Sequence, residues 1–482
     1  MKTNKVIKNY VYNVMYQILA IIIPLITTPY LARVLGAERL GVFGYTISIT
    51  SFFILFTANG IILHGKREIA YNQKNEKERS KIFYELLIIR LVLMIISLLI
   101  YYPVFCIKGN YSMYYKVLIL EIVANTLDIS WFFQGLEEFK KTVFRNMIVK
   151  IISVISIFVF IKNSMDLYKY FIIYTLSILI GNFSLWLYLP KYIGKTSIRE
   201  LNIKRHIKSI LVLFVPQVAA QVYLLLDKVM LGTIISDKSE VGYYEQAQKI
   251  INLSLTIATS LGTVMLPRIA NLYAENKFDE IKKFMKESFG FILLICFPLM
   301  FGIISISNKF VPIFFGQGYD KVVILLCLLS PIIVFVGLSN VTGIQYLLPT
   351  KQQKKYTTSI LIGAGTNFIL NSLLIRFYAS IGATIATIFA ELFVMMSQFY
   401  MIRKQINIME VLKMGRNYLF ASLIMLVMSV FVGHFISNNI LSILIQVPVS
   451  ILTYLIVLLI VKDTFVINIK KTIKNRRLKD ES

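Results

Sequence analysis

Gln217-Val-Ala-Ala-Gln221-Val-Tyr-Leu-Leu-Leu-Asp227-Lys228-Val-Met-Leu-Gly232 runs into a short polar loop, then into Val241-Gly-Tyr-Tyr-Glu245-Gln-Ala-Gln-Lys249 and an apolar stretch reaching Thr263. Both halves are hydrophobic enough to be membrane-spanning helices. Gln217, Gln221 and Lys228 recur at helical spacing and share one face. In the second half Glu245, Lys249, Asn252, Thr256, Thr259 and Thr263 do the same along the whole span. Polar groups left unpaired in hydrocarbon cost several kcal/mol each, so this stripe must face other helices or water inside the protein. The two helices are expected to line a solvated path, with the other spans built round them.

Composition agrees. The chain has 482 residues, 57% hydrophobic and 16% charged, with a mean hydropathy of +0.70, which is the profile of an all-α membrane protein and excludes an ordinary soluble domain. Hydropathy divides it into about fourteen spans. The net charge of +26 would suggest nucleic acid in a soluble protein, but here it is distributed by topology. Every second junction is basic, as at Lys66, Arg67 and Lys74, at Lys140, Lys141 and Arg145, at Lys191 to Lys208, and in the tail from Lys462 to Lys479. The alternate junctions hold few cations, such as Lys108, Lys162 and Lys238. The positive-inside rule then makes both termini cytoplasmic in a multi-pass cell (plasma or inner) membrane protein, and no nucleic-acid partner is needed. Lys2, Lys5 and Lys8 precede an apolar segment too long for a signal-peptide core, which is read as the first span. Cys106, Cys296 and Cys327 show no metal or disulfide spacing, so no metal and no cofactor is expected. No GxxxxGK[ST] loop occurs, which argues against ATP as a driver.

An internal repeat is visible. Tyr30-Leu-Ala-Arg33-Val-Leu-Gly36 followed by Leu40-Gly41-Val42 matches Asp227-Lys228-Val-Met-Leu-Gly232 followed by Glu240-Val241-Gly242. The offset covers six spans, and an even number keeps both copies in one orientation. The expected bodies are residues 1–205, a six-helix bundle; 206–405, its repeat; and 406–482, two extra helices with a basic tail. Each copy opens on proline-interrupted helices, at Pro24 and Pro29 and at Pro216.

Four stretches resemble the Wzx-type polysaccharide flippases, within the superfamily that also holds the MATE exporters. They are Pro29 to Tyr45, Gly65-Lys66-Arg67-Glu68-Ile69-Ala70, Asp128 to Phe139 with Trp131, and Leu226-Asp227-Lys228-Val-Met-Leu-Gly232. The resemblance covers essentially the whole chain. It implies a MATE-like fold of two six-helix repeats plus two helices. It also implies that an undecaprenyl-diphosphate-type lipid-linked oligosaccharide is moved from the cytoplasmic to the outer leaflet, by a transporter rather than an enzyme. The implied partners are that substrate, membrane lipids, coupling H+ or Na+, and polysaccharide polymerase or glycosyltransferase machinery.

Ionisable residues at membrane depth carry a functional expectation. A diphosphate needs fixed cations, for which Arg33, Arg90, Lys228 and Lys249 are the candidates. Gln217, Gln221, Asn252 and Thr256 are expected to meet sugars. Asp128, Asp227, Glu245 and Glu391 are expected to gate or to couple an ion. Glu245 and Lys249 stand one helical turn apart and alternatively neutralise each other. Trp131 reads as an interfacial anchor, Lys150 as a span-end charge, and His64, His206 and His434 as solvated residues with no proton role. One rival is an ion-coupled multidrug or cation exporter of MATE type, which wants an acid-dominated cavity. A glycan polymerase or ligase is disfavoured because it needs a sizeable outer loop, and no outer loop here exceeds about fifteen residues.

Overall fold

The computed structural model of the chain describes residues 2–58 and 60–463, without the side chains of residues 2–18, 20, 139–141, 215–217, 219–220, 222–224, 261, 263 and 264. The side chains of Gln217 and Thr263, and the tail past residue 463, therefore lie outside the described residues. Apart from short turns every described element is a helix: α1 Lys2–Ala58, α2 Ile61–Tyr71, α3 Glu76–Tyr101, α4 Ser112–Thr126, α5 Ser130–Gly135, α6 Phe139–Phe160, α7 Leu167–Ser184 and α8 Lys204–Ile234. They are followed by α9 Ser239–Ala274, α10 Phe278–Phe314, α11 Asp320–Leu329, α12 Ile332–Thr342, α13 Gln353–Ile402, α14 Ile408–His434 and α15 Asn439–Ile460.

Eleven stretches of the described residues are long and apolar enough to cross a membrane, so this is a multi-pass helical membrane protein. Hydropathy and structure count spans differently. Hydropathy splits α1 near Gly36 and α13 near Ala379, where the backbone breaks at φ 78° and 48°, and it includes α8, part of which lacks described side chains. Exposed apolar side chains run along Val92, Ile95, Ile96 and Leu99 of α3 and along Phe420, Leu423, Val427 and Phe431 of α14. In water such stripes would be a liability, whereas in lipid they are the solvated surface.

Contacts divide the chain into two compact units, Met1–Gly242 and Tyr243–Ser482. In the first, α1 packs on α3, α4, α6 and α8, and α7 packs on α4 and α6. One core lies where α2, α3, α5 and the end of α7 converge, around Ile69, Phe83, Leu86, Trp131, Phe132 and Leu185. Gly65 lies directly under the indole, since a Cβ there would fall 2.6 Å from the Trp131 ring. Trp131 is thus a core residue, 1% exposed and stacked on Phe83 at 5.9 Å, which corrects the expectation of an interfacial anchor. Two glycines allow close backbone approaches within this unit. A Cβ on Gly41 would meet the Lys238 carbonyl oxygen at 1.7 Å, and one on Gly242 would meet the Ala37 carbonyl oxygen at 2.1 Å. These reciprocal contacts pass through glycines that no other residue can replace without a backbone shift.

In the second unit α10 packs on α12, α14 and α15, and α12 packs on α13. Small polar residues join these helices. Ser429 Oγ bonds Ser305 Oγ at 3.1 Å, Gln446 Nε2 donates to the Ser429 carbonyl at 2.8 Å, and Tyr454 Oη donates to the Leu294 carbonyl at 2.9 Å. Hydrogen bonds of this kind replace the hydrophobic drive that lipid removes.

Candidate functional site

On α6 Asn146, Lys150 and Ser153 recur at three- to four-residue spacing and so share a face, with Arg145 at its edge. That face meets α1 at Ile23 and Thr27, and α7 at Tyr174, Ser177, Ile178, Gly181 and Asn182, enclosing a cleft of about 310 Å³. Gly181 admits the close approach, because a Cβ there would press on Val149 Cγ2 at 3.3 Å. Arg145 Nη1 donates to the Gly181 carbonyl at 3.0 Å and to Asn182 Oδ1 at 3.1 Å, and its Nε donates to Asn146 Oδ1 at 2.9 Å. Asn182 is itself fixed by donating from Nδ2 to the Ala124 carbonyl at 2.8 Å. These amides and the carbonyl help to hold the guanidinium in place. Two cations and no carboxylate line the cleft among the described residues, and its remaining wall mixes neutral polar residues (Asn146, Ser153, Asn182) with apolar ones (Ile23, Val149, Ile157). The arrangement suits an anionic headgroup that carries a hydrocarbon chain.

None of the four cations singled out in the sequence lines this cleft. Arg33 is exposed and Lys228 half-buried, beside a buried Asp227. Arg90 is 1% exposed and gives its guanidinium to the carbonyls of Asn125 and Asp128, closing the end of α4. Asp128 in turn accepts from Ser130 N and Ser130 Oγ, both at 2.9 Å, and so starts α5. Gln221 is exposed in the first unit.

In the second unit Lys249 Nζ lies 3.1 Å from Glu245 Oε1, with the lysine side chain 38% exposed and the glutamate 11%. Asn252 and Thr256 are exposed, and the Thr256 hydroxyl donates back to the Asn252 carbonyl at 2.9 Å. Glu391 on α13 is half-buried.

The histidines correct the sequence reading. His434 is exposed, but His64 and His206 are buried and bonded Nε2 to Nδ1 at 2.8 Å. His206 Nε2 continues to Glu85 Oε2 at 2.7 Å, and Glu85 also accepts from Asn202 N and from Arg205. Glu85 on α3 is what draws both rings inward, and one chain read alone did not pair these positions. The cleft residues Arg145, Asn146, Tyr174 and Asn182 were likewise missed, although the polar spacing along α6 was there to be seen.

The protein-family description "Polysaccharide biosynthesis protein" matches residues 6–273, and "MatE" matches residues 213–373. The chain is similar to a protein of Escherichia coli (strain K12) named "Putative O-antigen transporter", 27% identical over 404 residues that cover 81% of this chain and 95% of that relative. Its fold is similar to the solved structure "Lipid II flippase MurJ, inward closed conformation", with TM-score 0.76 and 19% identity, covering 94% of this chain and 99% of that one. It is also similar to an inward-facing multidrug resistance MATE family transporter of the MOP superfamily, with TM-score 0.62 and 14% identity, covering 82% and 96%. These two likenesses carry the fold. Matched over more than half its length, the chain belongs to the polysaccharide biosynthesis protein family, in the superfamily that also holds the MATE exporters.

Proposed function

We propose that the protein flips an undecaprenyl-diphosphate-type lipid-linked oligosaccharide from the cytoplasmic to the outer leaflet by alternating access, for assembly of a cell-surface polysaccharide. The observation that carries this reading is the cleft of the first unit, in which Arg145 and Lys150 stand among neutral polar and apolar residues. A diphosphate at membrane depth needs fixed positive charge, and an apolar wall beside it leaves the isoprenoid in contact with hydrocarbon. Family membership and the name of the Escherichia coli relative support the same reading.

In this account Arg33, Lys228 and Lys249 meet the anionic group at other points of its passage, while Arg90, the fourth cation, closes the end of α4. Gln217, Gln221, Asn252 and Thr256 hydrogen-bond sugars loosely enough for a glycan to slide. Asp128, Asp227, Glu245 and Glu391 gate the path or couple it to H+ or Na+. The repeats 1–205 and 206–405 rock as bodies, with 406–482 appended. Both termini face the cytoplasm of the plasma or inner membrane, where polymerase or glycosyltransferase machinery supplies or receives the glycan.

An exporter of cationic drugs is the second reading, and a cleft with no carboxylate in its lining among the described residues speaks against it. Reconstitution in vesicles separates the two. Transport of a fluorescent lipid-linked sugar, with none of a cationic dye, is expected; the reverse selectivity would overturn the proposal.

A further inference from the structure

Glu121 on α4 is 4% exposed and accepts from the Tyr174 hydroxyl at 3.1 Å. Its other oxygen, Oε2, has no hydrogen-bond partner. From α7 the titratable group facing it is Tyr174. From α3 they are Tyr101, whose hydroxyl already bonds Thr50 at 2.9 Å, and Arg90, which is turned to the carbonyls of Asn125 and Asp128. Cys106 follows α3, Lys116 and Tyr115 share α4, and α1 brings Phe43, whose ring meets that of Tyr174 at 5.3 Å. None of these forms an ion pair with Glu121 among the described residues. A metal cation would need several oxygens converging on it, and here a single hydroxyl reaches the carboxyl.

Tyr174 also lines the cleft, and its phenol has one O–H to give. In the structure that O–H goes to Glu121. An anion held by Arg145 and Lys150 competes for it, and if Tyr174 turns to the anion, Glu121 loses its donor. A bare carboxylate without donor or cation is costly so far from water. We propose that Glu121 is a proton-binding site coupled to occupancy of the Arg145–Lys150 cleft through Tyr174. On binding, the Glu121 carboxylate takes one proton from water and becomes the carboxylic acid. On release, Tyr174 returns its O–H to the carboxyl and the proton goes back to water. The inference rests on the reading of the cleft as a headgroup site.

The test uses geranylgeranyl diphosphate as probe, added to the purified full chain in weakly buffered detergent solution with a pH-sensitive dye. Wild type is expected to take up about one more proton per bound diphosphate than Glu121→Gln, and its affinity to weaken by up to about tenfold per pH unit as pH rises, by linkage. Glu121→Gln should bind within about threefold of wild type with a flatter pH profile. Tyr174→Phe keeps the carboxyl and should lose the extra uptake, which serves as the test if the Gln variant fails to fold. Binding with equal uptake in wild type and both variants would overturn the coupling and leave the headgroup reading intact. No binding by wild type would overturn both.

Discussion

The polar face of α6, in the first unit, and the polar face of α9, in the second unit, are alike in sequence, since both place a lysine among small polar residues at helical spacing. They differ in what stands one turn away. On α9 Lys249 has Glu245 at 3.1 Å, so its charge is matched before any ligand arrives. On α6 Asn146 and Ser153 stand one turn from Lys150, and Arg145 donates to two amide oxygens and a carbonyl beside the cleft. A polar stripe tells where hydrocarbon is excluded. The residue one turn along tells whether the same helix supplies a carboxylate to the charge.

The contrast can be strained from several sides. Arg90 is the extreme of a cation engaged by its own fold. Arg90→Ala removes a side-chain donor from the carbonyls of Asn125 and Asp128 and empties a buried site, and should cost about 3 kcal/mol in thermal stability measured in detergent. Arg90→Lys should recover only part of this, because an ammonium cannot fork to both carbonyls. Full recovery by lysine would show that charge matters there more than geometry.

Next comes the cleft itself. Arg145→Ala with Lys150→Ala should weaken binding of geranylgeranyl diphosphate about 100-fold, two charge-assisted contacts being lost. Lys249→Ala should change that affinity less than about threefold. Equal losses from both would erase the distinction between the two faces.

Lys249→Ala should instead appear in stability, at about 1 kcal/mol or less given how exposed the lysine is. The added change Glu245→Gln should restore it, by the logic of a mutant cycle.

The smallest effect belongs to the exposed Glu200, outside the spans, and its lysine partners on α3. Lys81, and then Lys77, hold the Glu200 carboxyl below its ordinary range, with Lys81 Nζ at 2.8 Å. A depressed carboxyl contributes above its unfolded value, and the contribution goes as pH falls through the depressed one. Glu200→Gln should leave the unfolding midpoint at neutral pH unchanged within error, and a clear drop would mean the linker before α8 carries more of the fold than its exposure suggests.

Much of the fold was legible because lipid imposes it. Apolar runs, and the close approaches at Gly41 and Gly242, follow from hydrocarbon length and steric contact. The site was less so. Arg90 and Lys228 drew attention because a charge at depth is conspicuous, but depth alone does not distinguish a guanidinium that closes α4 from one that faces a ligand. Arg145 was hidden by its place near a basic junction, where topology seemed to account for it. His64, His206 and Glu85 are distant in sequence, so only the folded chain pairs them, and Trp131 takes its burial from Gly65.

The most direct test is transport of a fluorescent lipid-linked sugar across vesicles by wild type and by the Arg145→Ala, Lys150→Ala double variant, each checked for folding by size exclusion. The account predicts transport by wild type and at least a tenfold loss in the folded double variant. Transport at the wild-type rate without these two cations would contradict it.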